Sequence, residues 1–195
     1  MFELVKDLLG LTLVDPRAAA RKVIALDYDA ATLATIASLL IVVAAMLSTL
    51  FSPGIDPADE SFMGLLARNP LVVALLEVVV FVIVAIALWK AGGIFGGTGT
   101  FDEVLSVATW NQMISLVVQI FLILLILFIP PLVGPVFLLT FAWRIYVFVV
   151  SLQVAHDFDN IFVTAGVILL SLMGVLFVAG IVAMVFGLYP QGAVP

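Results

Sequence analysis

Residues 31–51 form an apolar run without a single charged side chain, ATLATIASLLIVVAAMLSTLF. An α-helix needs about 20 such residues to cross some 30 Å of hydrocarbon. Four further runs meet the same requirement, over 70–89, 105–129, 133–153 and 162–188, and between them they hold only Glu77 and Arg144 as charged groups. A soluble domain is about 45–50% apolar and about 25% charged, whereas this chain is 65% apolar and 10% charged. A domain of 195 residues cannot hide that much apolar surface in one aqueous core. Disorder is excluded by the same arithmetic, since it requires low hydrophobicity and high charge. The expected fold is therefore all-α: a polytopic integral membrane bundle with five transmembrane helices.

Punctuation between the runs is sharp. Ser52-Pro53-Gly54 closes the first span, and residues 52–69 form a loop with Asp56, Asp59, Glu60 and Arg68. Pro70 opens the second span and Trp89-Lys90 closes it, with Trp89 placed as an interfacial belt residue. The glycine-rich stretch 91–99, AGGIFGGTG, lacks the Lys-Ser or Lys-Thr of a phosphate-binding loop and the spacing of a dinucleotide fingerprint, and reads as a bent connector. Thr100 and Glu103 have the spacing of a capping box, so a helix starts at 101 as a lead-in to the third span. Ile129-Pro130-Pro131 stops that span because consecutive prolines cannot donate to the helical ladder. Residues 155–160 (AHDFDN) read as a short polar loop in which Asp159 or Asn160 caps the last span, and Tyr189-Pro190 marks its exit.

Residues 1–30 precede the membrane domain of 31–195. Phe2, Val5 and Leu9 share a helical face flanked by Leu8 and Leu13, which predicts an interfacial amphipathic helix. Asp15 and Pro16 supply the N-cap and first position of a second helix. Its Arg17, Arg21 and Lys22 read as juxtamembrane cations at anionic headgroups, with a protein-docking surface as the alternative. A cleavable leader is not expected, because Glu3 and Asp7 stand where a basic region belongs. With the N-terminus in the cytoplasm, that side gathers Lys6, Arg17, Arg21, Lys22, Lys90 and the snorkelling Arg144, against Arg68 opposite. This bias predicts an N-in, C-out topology.

Composition also limits the chemistry. The chain has no cysteine and one histidine, His156, so thiolate and multi-histidine metal sites are not expected. His156, Asp157 and Asp159 are too few for a dedicated cation site. No basic run resembles a nucleic-acid footprint. No cofactor is expected, and no nucleophile–base pair or multi-aspartate motif points to an enzyme.

From Trp89 onward the sequence resembles the Yip1 domain family of small multi-pass membrane proteins. The similar residues are Trp89-Lys90-Ala91-Gly92-Gly93, then Gly96-Gly97-Thr98-Gly99-Thr100-Phe101 with Trp110 beyond. Ala142-Trp143 through Ser151-Leu152-Gln153-Val154-Ala155-His156 also fits, as does Val14-Asp15-Pro16-Arg17-Ala18-Ala19 at the start, in the manner of short bacterial members. The resemblance implies five spans, a cytoplasmic N-terminus and, for a bacterial member, the inner membrane. Eukaryotic relatives act in vesicle traffic and bind Rab-type GTPases through a longer N-terminal region bearing Asp-Leu-Tyr-Gly-Pro. Val14-Asp15-Pro16 is not that motif, so the resemblance by itself does not imply GTPase binding for this chain.

Within the spans, Glu77 and Arg144 are functional candidates, since an ionised group at mid-membrane costs about 2.5–3.5 kcal/mol on insertion scales. Their depths differ by roughly 6 Å, which allows an ion pair; the alternative is that each snorkels to its own interface. Asn111, Gln112 and Gln119, with Ser115, form a polar stripe on the third span that either glues helices together or lines a path for an ion or headgroup. Gln153 is expected at the interface. Ala179, Ala183 and Gly187 recur every four residues and suit close helix packing, within the bundle or between copies. Three functional classes follow, of which a membrane enzyme acting on lipids lacks its chemistry, leaving two. One is a non-catalytic adaptor or scaffold contacting lipid and membrane proteins, which the resemblance favours. The other is a small transporter or channel built on the intramembrane polar residues. The N-in, C-out arrangement predicts that a C-terminal reporter active only outside the cytoplasm gives full signal; signal from a cytoplasm-only reporter would reverse it.

Overall fold

The computed structural model describes residues 2–51 and 69–185. Within them the chain forms α1 (Phe2–Val14), α2 (Pro16–Ile24), α3 (Ala30–Phe51), α4 (Pro70–Ile94), α5 (Phe101–Phe128), a 3₁₀ turn (Pro130–Leu132), α6 (Val133–His156) and α7 (Ile161–Val185). Five of these, α3 to α7, are long and apolar enough to cross a membrane. The acidic loop after α3 and the tail after Val185 lie outside the described residues.

The helix starts follow the chemistry of their sequences. Asp15 accepts from the Ala18 amide at 3.0 Å with Pro16 behind it. Asn69 accepts from the Val72 amide at 3.3 Å ahead of Pro70. The Thr100–Glu103 capping box is complete: the Glu103 carboxylate accepts from the Thr100 amide at 2.7 Å, and Thr100 Oγ1 accepts from the Glu103 amide at 3.3 Å. α6 ends at Asp157, whose φ of +55° is left-handed. That reversal turns the chain into α7.

α3 packs on α4 and α5, α5 on α6, and α7 on both α4 and α6. Alanines occupy the closest crossings: Ala37, Ala45, Ala74 and Ala85 are all at most 3% exposed. Small side chains let the backbones approach where lipid offers no hydrophobic drive. α4 and α6 do not pack appreciably on one another, which leaves a gap across the bundle.

The N-terminal helices belong to the same core. Ala19 and Ala20 are 1% exposed, and Ala20 packs with Leu88, Val104, Val107 and Leu152. Leu8 packs with Trp110, Ile114 and Val147. α1 therefore lies against α5 and α6 instead of resting on headgroups alone. Its seam also differs from the expected one. Leu8 and Thr12 are buried, while Leu13 is exposed. Thr12 can be buried because its hydroxyl donates to the Leu8 carbonyl at 2.7 Å and accepts from Trp110 Nε1 at 3.1 Å.

Two helix ends differ from the sequence expectation. The second span continues past Trp89 to Ile94, and the fourth past Gln153 to His156. Both extensions arise because the glycines of one helix end accept the buried side chain of the other, as described below. The α1 seam yields a test. Thr12→Val strands the buried Trp110 N–H, which should cost about 1–3 kcal/mol. Since the chain has no native cysteine, a cysteine replacing Leu8 should label slowly, and faster once Thr12→Val is added. Equal labelling rates would show that α1 does not depend on this contact.

Candidate functional site

The intramembrane polar residues divide into two groups. Gln119 faces α3, where its amide donates to the Ala44 carbonyl at 3.0 Å and to Ser48 Oγ at 2.8 Å. It joins the third span to the first. Asn111 and Gln112 line a different space, and Ser115 stands between the two. With Glu77 and Arg144 they line a cavity of about 700 Å³ between α4, α5 and α6. This is the gap left because α4 and α6 do not pack.

The cavity brings Glu77 and Arg144 to one space without pairing them. Among the described residues the ion pair within 4.0 Å is Lys6–Glu3, on the surface of α1. Arg144 instead donates to Ser115 Oγ, whose own hydroxyl donates to the Asn111 carbonyl at 2.8 Å. The guanidinium is thereby held across the α5–α6 crossing and does not snorkel to an interface. Arg144 Nε and Asn111 Oδ1 are buried with no hydrogen-bond partner in the protein. Glu77 is exposed on α4 at the rim. Apolar residues form most of the remaining wall, and Ala85, Leu88 and Ala108, all buried, close it toward the end that carries α2.

A second polar cluster occupies that end; its residues stand out in the sequence one by one, but not as a cluster. His156 was expected in a solvated loop. It is instead the last residue of α6 and 1% exposed. Its imidazole fills the space that three glycines leave open. A methyl on Gly92 would fall on the ring, one on Gly97 would come within 2.8 Å of Nδ1, and one on Gly99 would strike the Ala155 carbonyl. Phe158 stacks on the ring at 5.2 Å, and the Thr98 amide donates to the His156 carbonyl at 3.1 Å. Neither ring nitrogen has a hydrogen-bond partner in the protein. The connector 91–99 is thus helical to Ile94 and then wraps the histidine.

Gln153, expected at the interface, is 3% exposed. Its carbonyl accepts from Arg17 at 2.9 Å and its amide donates to the Phe158 carbonyl at 2.9 Å. Arg17 therefore ties α2 to the α6–α7 turn. Periodicity gives no hint of this, because a lone glutamine near a helix end looks the same whether it meets water or an arginine.

Asp157 and Asp159 are exposed and point away from the histidine cluster's interior. Among the described residues no three His, Asp or Glu groups converge as metal ligands. Ala179 is exposed, so that position does not pack inside the bundle. The Ala183 side chain and Gly187 lie outside the described residues. From residue 172 onward α7 is exposed at nearly every described position, Val175 being half-buried.

A family model for the Yip1 domain matches residues 10–189. No curated protein and no solved structure matches the chain. The matched region includes the second N-terminal helix, both polar clusters and all five spans.

The histidine socket makes a compensating pair testable. Gly92→Ala should destabilise the detergent-solubilised protein by about 1–3 kcal/mol through overpacking. Adding His156→Ala should return part of that loss, because the methyl then enters vacated space. A double variant that is as unstable as the sum of the singles would show that the two positions do not compete for one volume.

Proposed function

The chain belongs to the Yip1 domain family, and from that premise we propose that it works as a non-catalytic adaptor or scaffold. In this reading it organises the membrane, or supports traffic-like processes, through protein and lipid contacts. The observation that carries the reading is the fixing of α1 and α2 onto the bundle. Trp110–Thr12 and Arg17–Gln153 lock both helices down, while Arg21, Lys22, Asp15 and Asp27, on or next to α2, remain exposed. A rigid, charged platform anchored by five spans offers a partner a preorganised surface, which lowers the ordering cost of binding.

A small transporter or channel is the second reading, and the cavity at Glu77 and Arg144 favours it. Its closure by Ala85, Leu88 and Ala108 weighs toward the adaptor, since the cavity does not continue to the platform end.

A photocrosslinking residue at Lys22 should trap a specific membrane-associated partner in cells. The double charge reversal Arg21→Glu with Lys22→Glu should cut that adduct at least about tenfold, as loss of electrostatic complementarity does. Proteoliposomes should show background flux for inorganic ions and small zwitterions. Specific flux abolished by Arg144→Gln, together with no adduct at Lys22, would replace the adaptor with the transporter.

A further inference from the structure

We propose that the cavity between α4, α5 and α6 binds the headgroup of an amphiphile bearing both a primary ammonium and a phosphate, the chemistry of an aminophospholipid. This goes beyond the adaptor reading and stands whether or not that reading holds.

Glu77 and Arg144, an acid and a base, border one space of about 700 Å³, yet they form no ion pair. Counting along the helices from the platform end, Glu77 stands roughly 25 Å along α4 and Arg144 roughly 18 Å along α6. In a medium that supplies neither water nor counter-ions, ionisation of either group calls for a partner of opposite charge. A ligand whose anion meets Arg144 and whose cation meets Glu77 neutralises both.

The donor set selects the two groups. A guanidinium presents a planar fork that matches phosphate oxygens. One arm of the Arg144 fork is engaged by Ser115, which fixes its orientation. A primary ammonium has three N–H donors to share between the Glu77 carboxylate and an amide carbonyl. Gln112 supplies that amide on α5. A quaternary ammonium lacks the N–H donors and fits this set poorly.

The surroundings indicate an amphiphile. Val80, Phe81, Val84 and Phe148 line the cavity with apolar surface suited to the glyceride and upper acyl chain. The rim on α4 is open to the bilayer: Leu76 is 44% and Val80 50% exposed. α7, which packs on both α4 and α6, has most of its second half exposed, so it does not seal the rim along its length. Buried Leu88 and Ala85 close the opposite end. Entry is therefore sideways from the bilayer.

Delipidated protein in detergent, offered equal amounts of phosphatidylethanolamine, phosphatidylglycerol and phosphatidylcholine, tests this by native mass spectrometry. Phosphatidylethanolamine should be retained at one per chain, about tenfold above the other two. Glu77→Gln should erase the preference of ethanolamine over glycerol while leaving the phosphate-dependent binding. Arg144→Gln should lose both lipids. Glu77 is exposed, so its variant should keep the fold, and the comparison between lipids is internal to each protein. Free phosphoethanolamine that competes with the lipid would identify the headgroup as sufficient; failure to compete would identify the intact lipid as the ligand. Equal retention of all three lipids, or an unchanged preference in Glu77→Gln, overturns the proposal.

Discussion

Hydrocarbon offers no hydrogen-bond partner, and this one constraint organises the whole bundle. Backbone groups meet it by becoming helical. Side-chain hydroxyls meet it by folding back on their own helix: Thr35, Ser38, Thr49 and Thr140 each donate to a carbonyl one turn earlier, at 2.7–2.9 Å. Gln119 meets it across a helix crossing. Helix ends meet it with Asp15, Asn69 and the Thr100–Glu103 box. Once these are set aside, the polar atoms of the spans that still lack partners concentrate in few places, and one of them is the cavity wall at Asn111 and Arg144.

The same constraint explains why the N-terminal helices are not an appendage. Trp110 carries an N–H deep on α5, and its partner comes from α1 through Thr12. Gln153 is buried near the end of α6, and its carbonyl is met by Arg17 from α2. Each contact satisfies a polar group of a span with a residue that lies before the first span. Folding of the membrane part and docking of the N-terminal pair are therefore coupled through specific hydrogen bonds as well as through the packing of Leu8 and Ala20.

Much of this was legible in the sequence. Long apolar runs with at most one charge each mark the spans, and Asp15-Pro16 and Thr100-Glu103 mark helix starts at the right residues, because caps are local chemistry. The stripe Asn111–Ser115 and the pair Glu77 and Arg144 were visible as polar residues in apolar runs. Where each one points was not, since the direction depends on which helices become neighbours. Gln119 and Gln112 are seven residues apart on one helix, yet one bonds to α3 and the other lines the cavity. His156 was misplaced for a related reason. Its neighbours Asp157, Asp159 and Asn160 are polar, and only the three-dimensional approach of Gly92, Gly97 and Gly99 makes room to bury it.

α7 is held unevenly. Thr164, Val167 and Ser171 are buried in its first half, while its second half is exposed. Such a helix is a cantilever, clamped at the platform end and free along the rest. From Val167 to Ile181 the arm is roughly 21 Å long, so a tilt of about 10° at the clamp sweeps the tip through about 4 Å. Packing at three side chains near the socket thereby sets the direction in which the rest of α7 leaves the bundle.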